Sequence, residues 1–509
     1  MFSILFFSVM PMLAACLILY LLRPCETMRT SCYLFMASMV LPMAWGISSC
    51  IYFTQKTLFN GFPGAVVFES VTWIVIIGLV IVLKSKTRAR TEINKMHSHN
   101  GQKTSILLVV GFVLIAISAV GIFIVESVHQ SHGNWDAISI WNLRARFIFR
   151  GDINWAETFA NHSSLFPADY PLLIPCAIAR FWGYTGSETV LYPLLIAFSF
   201  MFASVAMLVS SLAIFGDRNK GLLAGSVLIG IPYFSSHSAS QCADVPLGFY
   251  MLSTFVLLLF RQRLSRNTLG IVFMAGLMAG LSSWTKNEGL LFLAAVTVAL
   301  LLVKKPEEKW RERWKETAVF ICGTVPVMAV VLYFKLKLAP ESIYVSGPSF
   351  ENLIEMMFKA ERHLLAAQYF AREIFSMTGV IIVVFPMALF YWGVSFEDIS
   401  VNEIKRILVT LLIVISGYYF IFIIAPYELE FNLAFSLKRL YLHLWPSVVF
   451  IFFLVCSPMI RPGSEGFSTD PYEPSIHLDS PTFIGRGFIL AFFCFIGMLY
   501  ALTIFGVWG

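Results

Sequence analysis

The chain is organised around residues 135–146, which read WDAISIWNLRAR. This stretch follows a long apolar run that ends near Val125, and it opens the first long polar segment on its side of a membrane. Placing a carboxylate at the end of a transmembrane helix costs free energy, so its presence there indicates a function. We therefore expect Asp136 to be a catalytic base.

The composition indicates a membrane protein. Of the 509 residues, 58% are hydrophobic and only 13% are charged, and the mean hydropathy is +0.77. Soluble domains carry about 25% charged residues. The net charge of +6 does not indicate a nucleic-acid partner. The basic residues lie in short loops between spans, where membrane orientation explains them.

Long apolar runs predict an all-α polytopic fold with about 14 transmembrane helices. The predicted spans are 2–22, 31–53, 64–83, 105–125, 189–214, 221–234, 244–260, 267–283, 289–303, 317–334, 374–393, 407–425, 439–457 and 485–507. Most of the 36 Lys and Arg residues fall in one alternating set of loops, which the positive-inside rule makes cytoplasmic. Two long segments, 127–188 and 335–373, are then external.

Three regions follow from these spans. Residues 1–104 form a three-span extension, residues 105–457 form the core with both external segments, and residues 458–509 form a polar cytoplasmic loop (458–484) and the last span. The first apolar run is expected to be a retained span, because no basic n-region precedes it.

Each external segment is predicted to contain a juxtamembrane amphipathic helix. In the first, five apolar residues recur at helical spacing, and the helix is expected to lie in the membrane interface. These residues are Trp135, Ile138, Trp141, Ala145 and Ile148. Asp136 is placed as its N-cap and Gly151 as its C′ residue. The second helix runs from about Asn352 to Arg372.

Unusual polar residues concentrate on the external face, where they can share one water-facing cavity. The candidate site residues are Asp136, Asp169, Arg144, Arg146, Tyr170, Asp244, Lys286, Glu288, Arg439 and His443. Each also has a purely structural interpretation. The alternatives are a helix cap for Asp136 and Asp244, a turn for Asp169, a solvated loop pair for Lys286 and Glu288, an interfacial anchor for Arg439 and a core histidine for His443.

The chemistry that fits is transfer from a lipid phosphate. The sequence has no Walker loop, no GxSxG and no HExxH, and no stretch for a cytosolic nucleotide-binding domain. A lipid-phosphate substrate would keep its tail in the bilayer while Arg and Lys hold its phosphate. A carboxylate would deprotonate the attacking hydroxyl, and the cations would stabilise the departing phosphate.

These motifs resemble the GT-C superfamily of integral-membrane glycosyltransferases. The chain is similar to bacterial relatives of the protein mannosyltransferases and aminoarabinose transferases. The stretches that carry the resemblance are 135–146, 168–173, 243–247, 284–289 and 439–446. The resemblance implies inverting transfer from a polyprenyl-phosphate sugar to an acceptor hydroxyl, in a bacterial inner membrane with the active site facing the periplasm. The catalytic segment follows the fourth span here and the first span in better-known members.

Roles for single residues follow from the resemblance and from charge. Asp136 matches the family's catalytic base, and Asp169 is the second catalytic candidate, which with Tyr170 and Glu288 orients the sugar or the acceptor. Lys286 and Arg439 are expected to bind the donor phosphate, with help from Arg144 or Arg146. Asp244 is expected to support the cavity, His443 lies one turn below Arg439, and the helix at 352–372 is a candidate lid.

No set of residues has the spacing of a metal site, so no metal ligand is predicted. The carboxylates could still bind Mg²⁺ or Mn²⁺, and a divalent metal ion is the one cofactor considered. Other functions stay open: a transporter or flippase of a lipid-linked sugar, an O-antigen ligase or polymerase that uses a lipid diphosphate, and a non-catalytic subunit. The transporter predicts functional charges on both sides of the membrane midplane. The acceptor is open among glycans, lipids such as lipid A, and protein hydroxyls.

Overall fold

The computed structural model describes residues 2–22, 30–59, 64–87, 104–151, 154–157, 159, 169–215, 217–263, 268–304, 309–342, 349–377, 385–386 and 401–456. Within these ranges the chain forms helices and turns, and it contains no β-strand. The predicted loop 458–484, the predicted span 485–507 and most of the predicted span 374–393 lie outside the described residues.

The α-helices, numbered in chain order, are α1 Phe2–Leu22, α2 Thr30–Leu58, α3 Gly64–Thr87, α4 Ile106–His129, α5 Asn142–Arg150, α6 Leu173–Thr185, α7 Leu191–Ile214, α8 Arg218–Ile229, α9 Pro232–Ala239, α10 Asp244–Arg263, α11 Thr268–Thr285, α12 Asn287–Leu302, α13 Trp310–Lys337, α14 Phe350–Phe358, α15 Ala360–Met377, α16 Val401–Ile424 and α17 Leu429–Val455. A π-helix, Ala137–Trp141, precedes α5.

In the described part of the chain, eight helices are long and apolar enough to cross a membrane: α2, α4, α7, α10, α11, α13, α16 and α17. Shorter apolar helices lie within α1 and α3 and form α12. This is the architecture of an α-helical membrane protein. The predicted total of about 14 spans is larger than these eight.

The short span predicted at 221–234 is broken in the structure. The segment is divided into α8 and α9, because Pro232 has no amide hydrogen with which to continue the preceding helix. Asn219, at the start of α8, accepts a hydrogen bond from the amide just before α4 at 3.0 Å. The amide of Asn134, just after α4, donates to the residue that follows α9 at 3.2 Å. α8 and α9 therefore run alongside α4 along its whole length, as one helical segment interrupted between Ile229 and Pro232.

Successive antiparallel helices define two ends of the bundle. α10 begins at Asp244 and α11 ends just before Lys286, so both residues lie at one end, here called the site end. Arg261 lies near the other end of α10, about 26 Å away at 1.5 Å per residue. α11 packs against α10 and α13, and α17 packs against α10. These helices place charged residues at both ends.

A second set of charged side chains is buried at the opposite end. Arg406 Nη1 lies 3.0 Å from Glu403 Oε1 and 3.6 Å from Glu316 Oε1, and Arg261 also pairs with Glu316. Buried charges therefore lie at both ends of the bundle, beyond the predicted site residues at the site end. Residues assigned from sequence to short cytoplasmic loops lie in the ends of helices, where they pair with one another.

The first external segment folds partly as predicted. A helical stretch covers residues 135–150, but only part of its apolar stripe is open to lipid. Trp135 and Ile138 are 73% and 45% exposed, whereas Trp141, Ala145 and Ile148 are fully buried. α5 packs against α6, so the inner half of the stripe belongs to the protein core and not to the membrane interface.

The second external segment contains two helices where one was predicted. α14 and α15 are separated at Lys359, whose backbone is extended. Arg362, in the first turn of α15, donates to the carbonyls of Ile423 and Ala425 at 2.9 and 3.0 Å. Tyr441 of α17 donates to the carbonyl of Phe370 at 3.0 Å. α15 is therefore anchored to the site-end tip of α16 and to the middle of α17.

Candidate functional site

Asp244 is the centre of the site-end charges. Its side chain is fully buried, and four donors surround the two carboxylate oxygens. His237 Nε2 and His443 Nε2 each lie at 2.8 Å, Lys286 Nζ at 2.9 Å and Arg439 Nε at 3.1 Å. A buried carboxylate is tolerated only when it is paired and hydrogen-bonded in this way. We call these five residues the Asp244 hub.

Arg439 connects the hub to the predicted base. Its Nε donates to Asp244 and its Nη1 donates to the carboxylate of Asp136. The side chains of Arg439 and Asp136 are 14% and 10% exposed, in contrast to the fully buried Asp244. Among the described residues, Arg439 Nη2 has no hydrogen-bond partner. Asp136 and Arg439 are thus the open edge of the hub, and one guanidinium donor is available to a ligand.

The predicted capping role of Asp136 is wrong. Its backbone is already helical and its side chain makes no capping hydrogen bond. Asn134 provides the cap, because its Oδ1 accepts from the Ala137 amide at 3.1 Å. Since the sequence offers a separate capping residue, the carboxylate of Asp136 can turn to Arg439. Gly151 does end the helical stretch, as its C-cap and with a right-handed backbone (φ −70°).

The backbone around Asp136 is irregular. Residues 137–141 form a π-helix, a rare conformation that is frequent at functional sites. Gly133 has a positive φ of 80°, and so does the buried Gln241 across from it, at 60°. A positive φ at a residue other than glycine is strained and persists only where the surroundings impose it. Gln241 is held by Asn142, whose amide donates to its Oε1 at 2.8 Å. These contacts lock the loop before Asp136 against the loop before Asp244.

Lys286 is the single residue that joins α11 to α12, as the predicted tight turn required. It is not solvated, since its side chain is only 3% exposed and its Nζ lies 3.0 Å from Glu288 Oε1. The turn needs Gly289, because a Cβ there would lie 1.9 Å from the carbonyl oxygen of Ser282. Burial disfavours the charge on Lys286, but Asp244 and Glu288 outweigh it and raise its pKa above the usual value.

A second group of polar side chains lies around Asp169. Its Oδ2 accepts from Asn287 Nδ2 at 2.8 Å and from Lys335 Nζ at 3.2 Å, and Lys335 Nζ also lies 2.7 Å from Asn287 Oδ1. Asn287 follows Lys286 directly in the chain. The Asp169 group therefore adjoins the Asp244 hub through the α11–α12 turn.

Tyr170 joins the two groups. One face of its ring stacks on Trp141, with ring centroids 5.7 Å apart, and Lys286 Nζ lies 5.5 Å from the ring centroid. Its carbonyl accepts from Arg144 Nη1 at 2.8 Å. Arg144 is almost fully buried, and burial lowers its pKa to about 10. Through this hydrogen bond, the buried Arg144 holds the backbone of Tyr170 in place.

The structure brings together the predicted site residues, with one exception. Arg146 contacts His132 at 3.3 Å and Glu188 at 3.6 Å, and its guanidinium lies 6.0 Å from the ring of Trp182. These contacts hold it on the outer side of α5, away from the hub.

Sequence reasoning missed four residues of the site: His237, Asn287, Lys335 and Tyr418. His237 precedes Asp244 by seven positions in a short helix, Pro232–Ala239, and it lies between the predicted spans 221–234 and 244–260. Lys335 stands at the site end of α13, where an external Lys at the end of a span could have drawn attention to it. Tyr418 also takes part, since its hydroxyl lies 3.1 Å from His443 Nδ1. A neutral His443 with its hydrogen on Nε2 satisfies both neighbours.

His237, Cys242 and Asp244 have ligand atoms within 4.8 Å of one another, the closeness that a metal ion needs. The donor set fits an ion poorly. Both oxygens of Asp244 are already used, and the charges of Lys286 and Arg439 would repel a cation. The arrangement therefore favours a network of ion pairs and hydrogen bonds around Asp244 over a metal site.

No protein family, curated protein or solved structure matches this chain. The function therefore has to be argued from the geometry of the site itself.

Proposed function

We propose that this protein is a membrane glycosyltransferase with Asp136 as its general base. It would move a sugar, with inversion, from a polyprenyl-phosphate donor to an acceptor hydroxyl. The observation that carries the proposal is the bridge that Arg439 makes between the edge carboxylate Asp136 and the buried Asp244. One guanidinium fixes the base and still has a donor for a second anion.

The proposed step uses both partners of this bridge. The acceptor hydroxyl gives its proton to the carboxylate of Asp136 while its oxygen bonds to the anomeric carbon of the sugar. The bond from that carbon to the phosphate oxygen breaks, and the phosphate leaves with the electron pair. Arg439 is positioned to stabilise the charge on the phosphate as it develops, because its side chain is 14% exposed beside Asp136 and its Nη2 has no hydrogen-bond partner among the described residues.

Lys335 is the second cation for the phosphate, since it is 23% exposed and belongs to the Asp169 group. Lys286 is buried, so we assign it an indirect role, in which it holds Asp244 and faces Tyr170. Asp169 and Tyr170 would then orient the sugar or the acceptor. A lipid-linked donor suits this site, because Asp244 and Lys286 lie at the ends of α10 and α11, which are long enough to cross a membrane. We place this end at the external, periplasmic face from the Lys and Arg distribution.

The test is turnover of a labelled polyprenyl-phosphate sugar by the purified protein in proteoliposomes. We expect Asp136→Asn to reduce product formation on the order of 10³-fold, the size of a general-base contribution. Glu188→Gln is the matched control, because Glu188 is another external carboxylate paired with Arg residues. Equal rates in the wild type and Asp136→Asn, with both proteins folded, would refute the assignment of the base.

The transporter stays a second candidate, favoured by the buried charges at the opposite end of the bundle. Transport predicts movement of the labelled donor across the vesicle without a new glycosidic bond. Glycosyl transfer predicts a labelled acceptor and free polyprenyl phosphate. The same vesicles supplied with a sugar linked to a lipid diphosphate test for a ligase or polymerase.

A further inference from the structure

The N-terminal helices are tied to the segment that carries Tyr170. α6 begins three residues after Tyr170, and α1, α2 and α3 all contact it. Arg180 of α6 and Glu69 of α3 form a buried ion pair, with Arg180 Nε 2.8 Å from Glu69 Oε1. Trp73 also donates to Glu69, at 3.0 Å. The carboxylate of Glu69 accepts a further hydrogen bond from Tyr184 of α6.

A buried ion pair with several hydrogen bonds fixes geometry, because moving either partner leaves a charge without compensation. Arg180 also donates to the carbonyl of Phe7 in α1, at 2.5 Å. Phe7 of α1 and Glu69 of α3 therefore both bond Arg180, and these bonds hold the C-terminal half of α6 in place.

α2 reaches closer to the site through Ser49. The Ser49 hydroxyl donates to the carbonyl of Leu173, the first residue of α6, at 2.8 Å. The same oxygen accepts from the indole Nε1 of Trp284 at 3.0 Å. Trp284 precedes Lys286 by two residues, and Leu173 follows Tyr170 by three. One buried hydroxyl thus joins the two chain segments that bring Tyr170 and Lys286 together.

We propose that α2 is a positioning element of the site and that Ser49 is its positioning residue. The contact between Lys286 and the ring of Tyr170 depends on the relative placement of α6 and the end of α11. Ser49 sets that placement, since all three partners are fully buried. The helices of the predicted N-terminal extension are then a structural part of the site.

Hydrogen exchange measured by mass spectrometry tests this without any assay of activity. Ser49→Ala removes both hydrogen bonds and leaves the indole donor of Trp284 buried without a partner. We expect exchange in peptides covering 169–177 and 284–290 to become about tenfold faster. Ser48→Ala is the control, because Ser48 is also buried and, within the described part of the chain, its hydroxyl bonds only the Trp45 carbonyl of its own helix. Equal exchange in the two variants overturns the proposal.

The kinetic consequence rests on the proposed glycosyl transfer. Ser49→Ala should lower kcat about tenfold and leave KM nearly unchanged, because Lys286 and Tyr170 would be displaced without loss of donor ligands. Ser49→Thr keeps the hydroxyl and should restore both exchange and kcat. If Ser49→Ala alters exchange but no variant transfers sugar, the positioning role holds and the proposed function fails. If Thr restores neither exchange nor kcat, the hydroxyl is not the cause and the positioning role fails.

Discussion

The two buried charge clusters, one at each end of the bundle, are built differently. At the opposite end, Glu403 and Arg406 are one helical turn apart on α16, and Glu316 of α13 closes the cluster. All three side chains are almost fully buried, and their backbones are regular helix. At the site end, Asp136 follows a strained loop and Lys286 stands in a one-residue turn.

This difference separates a cluster that holds helices together from one that is arranged to meet a ligand. Regular helices can place charged side chains in pairs with little backbone strain, and such pairs hold the ends of neighbouring helices together. Irregular backbone around charges has to be imposed by the surrounding structure, and it is characteristic of functional sites. Exposure is similar at the two ends, since Arg261 is 21% exposed at the opposite end and Arg439 is 14% exposed at the site end, so the backbone carries the distinction.

The largest expected effect is that of Arg439→Met. This change removes the guanidinium that bonds both Asp136 and Asp244, so the base loses its orientation and the phosphate loses its cation. We expect transfer to fall by about 10²–10³-fold, the loss measured when a preorganised charge stabiliser is removed. Arg439→Lys should recover little, because an ammonium cannot bridge two carboxylates as a planar guanidinium does. Initial rates at saturating and limiting donor measure both variants.

Arg150→Met is the control for Arg439, because Arg150 is an exposed arginine that pairs with Glu188. It should transfer sugar at the wild-type rate. If Arg439→Met also transfers sugar at the wild-type rate, the charged residues at the site end would be no more functional than those at the opposite end.

Arg406→Met tests the same comparison from the opposite end. It removes a buried guanidinium that pairs with both Glu403 and Glu316, and we expect a loss of about 3 kcal/mol in the free energy of unfolding. The rate per folded molecule should not change. The double variant Arg406→Met, Glu403→Gln removes both charges and should regain most of the stability. Thermal unfolding in detergent, together with the rate per folded molecule, measures these effects. A loss of donor movement with intact stability would favour the transporter.

The sequence predicted much of this arrangement. Apolar runs located the long helices, and the polar residues beside them identified Asp136, Asp244, Lys286 and Arg439 as neighbours at one end. This succeeded because the alternation of spans decides which end each residue reaches, whatever the packing. The tight turn at Lys286 was also predicted, since two apolar runs meet there with only a few polar residues between them.

Other features depend on contacts between distant segments, which no local pattern shows. Asn134 caps the helix in place of Asp136 because Arg439, some 300 residues later, takes the carboxylate. The pairing of Arg406 with Glu316 is equally non-local, and it was mistaken for loop charge. Ser49 belongs to an ordinary apolar run, and nothing in that run shows that it contacts α6 and α11.

Lys335→Met is expected to have the smallest effect of the three changes, and it sharpens the comparison most. Lys335 holds Asp169 and Asn287, but it is partly open, so water can replace some of its contacts. We expect KM for the donor to rise about tenfold while kcat changes less, because a second phosphate cation contributes mainly to binding. Lys337→Met, two residues further along α13, is the control for removal of a charge near this end. If both variants behave alike, the Asp169 group is outside the site, and the functional edge is limited to Asp136 and Arg439.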